Sequence, residues 1–117
     1  MTTVLVCGGR GFGDWDHLVE TLDTLHREHK FDILVHGAAR GADAMAGTWG
    51  RNTGISVHEY PADWKLHGKA AGPIRNQLML DSEPIDVVVC FPGGNGTADM
   101  KRRAIAKGIP VIDSETE

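Results

Sequence analysis

The run Ile85-Asp86-Val87-Val88-Val89-Cys90 passes directly into Phe91-Pro92-Gly93-Gly94-Asn95-Gly96-Thr97, and then into Ala98-Asp99-Met100-Lys101-Arg102-Arg103-Ala104-Ile105. An apolar strand, a glycine-rich turn and a helix in that order constrain the chain more than any other stretch does. The first N–H groups of a helix lack intrahelical partners and lie at the positive end of its dipole. Glycines let such a terminus approach a phosphate closely, so the turn can hold an anion; three glycines can also serve only the turn itself. Pro92 fixes its own φ and ends the strand.

The same alternation recurs along the chain. Residues 3–7 form a first strand, followed by Gly8-Gly9-Arg10-Gly11-Phe12-Gly13-Asp14. Asp14 reads as the N-cap of a helix that turns Trp15, Leu18, Val19, Leu22 and Leu25 inward. His26 and His29 sit in its last turn with Arg27 and Lys30, where they complement the helix dipole; their surroundings do not suggest a metal site. A second strand, residues 33–36, enters Gly37-Ala38-Ala39-Arg40-Gly41-Ala42-Asp43. A small-residue helix through Met45, Ala46 and Trp49 follows and stops at Gly54, and residues 55–60 form a third strand. Residues 61–72 show no sustained period, and a connection of that length is expected to cover a ligand. Pro73 suits the first turn of a third helix that carries Ile74, Leu78 and Met79 inward. Gly108 closes the fourth helix, and residues 109–112 form a last, edge strand before a polar tail.

Strands alternating with helices predict an α/β fold: a Rossmann-like open parallel sheet of about five strands with helices on both faces. Right-handed crossovers make 3-2-1-4-5 the most economical order. The chain then reverses between strands 1 and 4. Their glycine-rich loops would flank one crevice at the carboxyl ends of the strands, where open α/β sheets bind ligands. Residues 1–117 are expected to be one domain, burying roughly two thirds of its unfolded surface.

Composition narrows the classes. Hydrophobic residues at 41% and charged residues at 24% are ordinary for a globular protein, and no transmembrane run or signal peptide is visible. The expectation is a cytoplasmic protein with no membrane partner. A net charge of −4 argues against a broad phosphate-backbone surface while leaving room for a local basic pocket. Cys7 and Cys90, each at a strand end, read as small core residues with no disulfide or nucleophilic role. No metal and no cofactor are assigned.

The first loop departs from both common nucleotide fingerprints. G-x-G-x-x-G begun at Gly9 would need glycine where Asp14 stands, and a P-loop begun at Gly8 would need Lys after Gly13. What remains is a set of short glycine turns, each followed by polar residues: Arg10 and Asp14, Arg40 and Asp43, Arg75 and Asn76, Thr97 and Asp99. A guanidinium fork at a strand end suits phosphate or a nearby carboxylate such as Asp14 or Asp43. Lys101, Arg102 and Arg103 read as a solvated helix face. Trp64, and to a lesser degree Phe12, could stack on a base or serve packing. His36 reads as a strand-end core or capping histidine and His67 as a solvated one.

These loops, together with Gly68-Lys69-Ala70-Ala71-Gly72-Pro73-Ile74-Arg75-Asn76-Gln77, resemble the YspA-like branch of the SLOG superfamily. That superfamily also includes the Lonely Guy (LOG) phosphoribohydrolases and the Smf/DprA proteins, and members of this branch are common in bacteria and their phages. The resemblance implies a Rossmann-like domain that binds nucleotides or nucleotide-derived ligands. It does not by itself fix an activity. The loop readings above place the expected ligand contacts at Gly8, Gly9, Arg10, Gly37, Arg40, Asp43, Trp64, Arg75, Asn76, Pro92, Gly93, Gly94, Gly96 and Thr97. Ala38 stands where relatives often have Gly. LOG enzymes carry a catalytic Glu three residues after the Thr, and here that position is Met100. A thioether can neither take a proton nor stabilise an oxocarbenium-like centre. Asp99, about 100° away around the helix, cannot simply replace the Glu.

Binding of a nucleotide or nucleotide-derived small molecule is therefore the leading expectation. One alternative is a LOG-like phosphoribohydrolase cleaving the N-glycosidic bond of a nucleoside monophosphate, with Asp99 or Asp14 as its carboxylate. Another is DprA-like binding of single-stranded DNA, and a homo-oligomer is compatible with either.

Overall fold

The computed structural model describes residues 1–114. Five strands, β1 (Thr3–Cys7), β2 (Ile33–His36), β3 (Ser56–Glu59), β4 (Val87–Cys90) and β5 (Val111–Asp113), form one sheet in the order β3-β2-β1-β4-β5. Every pairing is parallel. Both the strand count and the predicted order hold.

Five α-helices accompany the sheet: α1 (Trp15–His29), α2 (Ala42–Thr53), α3 (Trp64–His67), α4 (Ala71–Ser82) and α5 (Asn95–Ala106). Successive side chains of a strand point to opposite faces, and the core divides accordingly. Val4, Val6, Val87 and Val89 pack with Leu18 and Leu22 of α1 and with Ala46 and Trp49 of α2. On the opposite face, Leu5, Cys7, Val88 and Cys90 pack with Met79 and Leu80 of α4 and Met100 and Ala104 of α5. β1 and β4 are central and wholly buried, which their unbroken apolar runs require. β3 is an edge strand with mostly exposed positions.

Three sequence expectations are revised. Residues 61–72 contain the single-turn α3, capped by Asp63, and a 3₁₀ turn at Gly68–Ala70 that runs straight into α4. α4 begins at Ala71, and Pro73 lies in its first turn as expected; proline is tolerated there because the first N–H groups have no intrahelical acceptor to lose. Ile74 and Leu78 are 44% and 51% exposed, not inward. The stripe facing the sheet is Gly72, Asn76, Met79 and Leu80, which keeps helical spacing but places glycine and asparagine on the buried side. Trp15 is likewise partly exposed, at 38%.

Candidate ligand site at the strand carboxyl ends

The loops after β1, β2 and β4 interlock at one end of the sheet, and glycine makes this possible. A Cβ on Gly8 would lie 2.6 Å from Ala42 Cβ, and one on Gly9 would lie 3.0 Å from the Pro92 carbonyl. On Gly93 it would overlap Thr97 Oγ1 and lie 2.7 Å from Gly9 N. Gly41, at φ +73, would drive a Cβ into the Gly9 carbonyl. The contact is closed by the Gly9 N–H donating to Pro92 O at 2.8 Å and the Ala42 N–H to Gly9 O at 3.2 Å.

Above this knot lies a cavity of about 550 Å³. Gly8, Gly9 and Arg10 reach it from the first loop, Gly37 and Asp43 from the second, and Gly94, Gly96 and Thr97 from the fourth. Trp64, Arg75 and Asn76 complete this part of the lining, so most of the sequence-predicted ligand residues meet here. Pro92 and Gly93 line an adjoining depression with residues 9–14. Arg40 is exposed and lines neither.

α2, α4 and α5 all begin at this cavity, and none has a side-chain cap. α1 starts outside it and is capped conventionally, Asp14 Oδ1 accepting from His17 N at 3.0 Å. Gly94 and Gly96 differ from the other lining glycines. A Cβ on either would meet nothing within 4 Å, and neither has a positive φ. Packing and backbone conformation therefore leave both glycines unexplained; what they provide is open access to the first N–H groups of α5.

Four cations, Arg10, Lys69, Arg75 and Arg102, share the cavity with one carboxylate, Asp43. The Arg10 guanidinium lies 5.1 Å from the centre of the Trp64 ring, a cation–π contact across the cavity mouth. Arg75 is a strut as much as a ligand group: Nη1 donates to the Gly37 carbonyl and, at 3.5 Å, to Tyr60 O, while Nε donates to Asn76 Oδ1 at 3.0 Å. Gly37 is glycine because a Cβ there would overlap this guanidinium. Asn76 Nδ2 donates to Gly96 O and Asp99 Oδ2, tying α4 to α5.

Asp43 is 5% exposed. Burial raises its carboxyl to about 6, against the opposing pull of the Ala39 and Gly37 amides and of Arg75 and Arg10. The Ala39 N–H donates to its Oδ2 at 3.2 Å, which braces the second loop. That loop also holds Ala38 at φ +60, and the Ala38 N–H donates to His36 Nδ1 at 2.9 Å. The proton of neutral His36 consequently sits on Nε2, buried, with Glu59 Oε2 3.5 Å away. Burial lowers the pKa of His36, with Glu59 opposing.

The two carboxylates proposed from sequence as catalytic do not enter the main cavity. Asp99 accepts from Arg103 Nε at 2.8 Å and from Asn76 at 3.0 Å. Partial burial raises its pKa, but these bonds outweigh it and the carboxyl is lowered overall. Asp14 caps α1 and lines only the adjoining depression. Met100 is completely buried in the core beneath α5, so the position equivalent to the LOG glutamate faces the sheet. Phe12 packs against Phe91 at 5.3 Å, a packing role. Arg103 is half-buried and bridges Asp99 and Gln77, whereas Arg102 is exposed as a solvated helix face requires and also reaches the cavity, which Lys69 lines too.

The profile of the YAcAr family, described as the YspA, cpYpsA-related SLOG family, matches residues 2–67. The Gene 61 protein of Mycobacterium phage D29 is 41% identical over 124 residues, covering 97% of this chain and 96% of its own length. The chain belongs to the YspA, cpYpsA-related SLOG family. The match ends within α3, so the first two glycine-rich loops of this SLOG chain fall inside it and the Pro92 turn falls outside. MurG of Acinetobacter baumannii shares the fold, with a TM-score of 0.61 at 13% identity over 97% of this chain. The chain spans about a third of that structure, 34% of its length. Among the described residues no helix is long and apolar enough to cross a membrane, and no group of three or more His, Cys, Asp or Glu could hold a metal ion.

Proposed function

We propose that the cavity binds a nucleotide or nucleotide-derived ligand. Its phosphate sits on the first turn of α5 beside Arg10, and its base lies against Trp64. The observation that carries this reading is the α5 terminus: uncapped, walled by two glycines that packing does not demand, and set among four cations in a chain of net charge −4. An anion there satisfies N–H groups that would otherwise rely on water. Calorimetric titration with AMP, cyclic nucleotides and ADP-ribose-type molecules should show saturable binding. Absence of binding at millimolar concentrations of every ligand would reject the proposal.

Asp43 supports a second reading, a phosphoribohydrolase. It is the one carboxylate among the lining residues, so water attack at C1′ with departure of the base would have to use it and not Asp99 or Asp14. Chromatography of a wild-type reaction with a nucleoside monophosphate should then show free base and ribose 5-phosphate in equal amounts, and Asp43→Asn should abolish both.

A further inference from the structure

Cys7 and Cys90 are the only cysteines in the chain. They are direct register partners on the adjacent parallel strands β1 and β4, and their sulfurs are 3.2 Å apart, both free. Paired strands lie about 4.8 Å apart, which falls within the Cα separation a disulfide accepts. Both side chains leave the sheet on the same face, into the core under α4 and α5. Access differs between them. Cys7 is 9% exposed and lines the floor of the ligand cavity, whereas Cys90 is 0% exposed and lies outside the lining.

We propose that this pair is an oxidisable dithiol, reached through the ligand cavity and closed to an intramolecular disulfide by a peroxide. The Cys7 sulfur attacks one peroxide oxygen; the O–O bond breaks, one water leaves and Cys7 becomes a sulfenic acid. The Cys90 sulfur then attacks Cys7 Sγ, the S–O bond breaks, and a second water carries away the remaining proton and oxygen. Two thiols and one peroxide give one disulfide and two waters, with the protein oxidised by two electrons and the peroxide reduced by two. The bond would join the two strands whose loops, through Gly9 N and Pro92 O, form the knot beneath the cavity. Oxidation state and ligand site therefore share one structural element. The hydrogen bond with Cys90 and then burial push the Cys7 thiol up, Asp43 adds to this and Lys101 opposes it. The pair is thus a slow dithiol with no resemblance to a low-pKa nucleophile.

Hydrogen peroxide, intact mass and non-reducing peptide mapping test this directly on the wild-type chain. Folded protein should lose two hydrogens in mass and link the Cys7 and Cys90 peptides within one chain, more slowly than exposed thiols react with the same peroxide. Dithiothreitol should reverse the change. Folded protein that keeps both thiols, forms intermolecular dimers or gains oxygen without the link would overturn the proposal. Order of attack gives a second readout: Cys90→Ser should trap a Cys7 sulfenic acid with dimedone, while Cys7→Ser should leave Cys90 unlabelled. Labelling of Cys90 in the folded Cys7→Ser variant would overturn the route through the cavity.

Discussion

At the residue scale, glycines that look alike in the sequence separate by what surrounds them. Gly93→Ala forces a methyl into Thr97 Oγ1 and the Gly9 backbone, so it should destabilise the fold by about 2 kcal/mol or more in urea unfolding. Gly96→Ala meets open space inside a helix, so it should leave stability unchanged or raise it by up to about 1 kcal/mol while weakening nucleotide binding at least tenfold. Equal binding by wild type and Gly96→Ala would remove the phosphate from the α5 terminus. Ala38, at φ +60, is the reverse case. A Cβ in the left-handed region costs about 1 kcal/mol, so Ala38→Gly should gain roughly that amount in the same assay. Nothing in the sequence marks Ala38 as strained; that follows only from its backbone angle. Asp43 has a pH signature. Its folded pKa of about 6 lies above the unfolded 3.8, so its contribution to stability is fully present below pH 3.8 and is lost as pH rises to about 6. A shift of this size corresponds to about 3 kcal/mol. Urea midpoints of wild type should fall relative to those of Asp43→Asn between pH 4 and pH 6.5 and then run parallel.

At the element scale, strands were easier to read than helix faces. β1 and β4 are buried on both sides, and their uninterrupted apolar runs announce that. The face of α4 was hidden because Gly72 and Asn76 face inward while Ile74 and Leu78 face outward, so hydrophobic periodicity points to the wrong side. Asn76 is buried because its amide satisfies Gly96 O and Asp99, a purpose fulfilled 20 or more residues away. Residues 61–72, expected to be irregular, fold into α3 and a 3₁₀ turn and supply Trp64, Lys69 and Gly72 to the cavity lining. α3 is a single turn that no periodicity could reveal, yet it delivers Trp64 to the cavity mouth. Trp64 is 48% exposed and held by Arg10, so a bound base has a ring to stack on without disturbing the core. Trp64→Ala should therefore weaken AMP by about 1–3 kcal/mol in calorimetric titration, while ribose 5-phosphate, which has no base, should change little. Equal losses for both ligands would place Trp64 in a purely structural role.

At the scale of the whole molecule, topology turned separate motifs into a site. Placing β1 beside β4 sends the first and fourth loops to one crevice, and the observed order 3-2-1-4-5 makes that placement. The cationic lining of the cavity could not be read from net charge, because the chain is acidic overall. Arg10, Arg75, Lys69 and Arg102 come from three stretches far apart in sequence, and Asp43 is the one acidic residue that joins them in the lining. This contrast also separates a compact ligand from a nucleic-acid strand. A strand tracking a basic groove releases counterions at every phosphate, and 6–10 such contacts lose about 10³–10⁵ in affinity between 50 and 200 mM salt. A cavity of about 550 Å³ suits one nucleotide-sized ligand. AMP affinity should accordingly fall less than about tenfold over the same salt range, since only one phosphate's charge is screened. Oligonucleotide affinity measured in parallel should be weak throughout. A tight oligonucleotide complex that dissolves steeply with salt would instead mean that the cations at the cavity rim, Lys69 and Arg102, begin a path along which a strand can run.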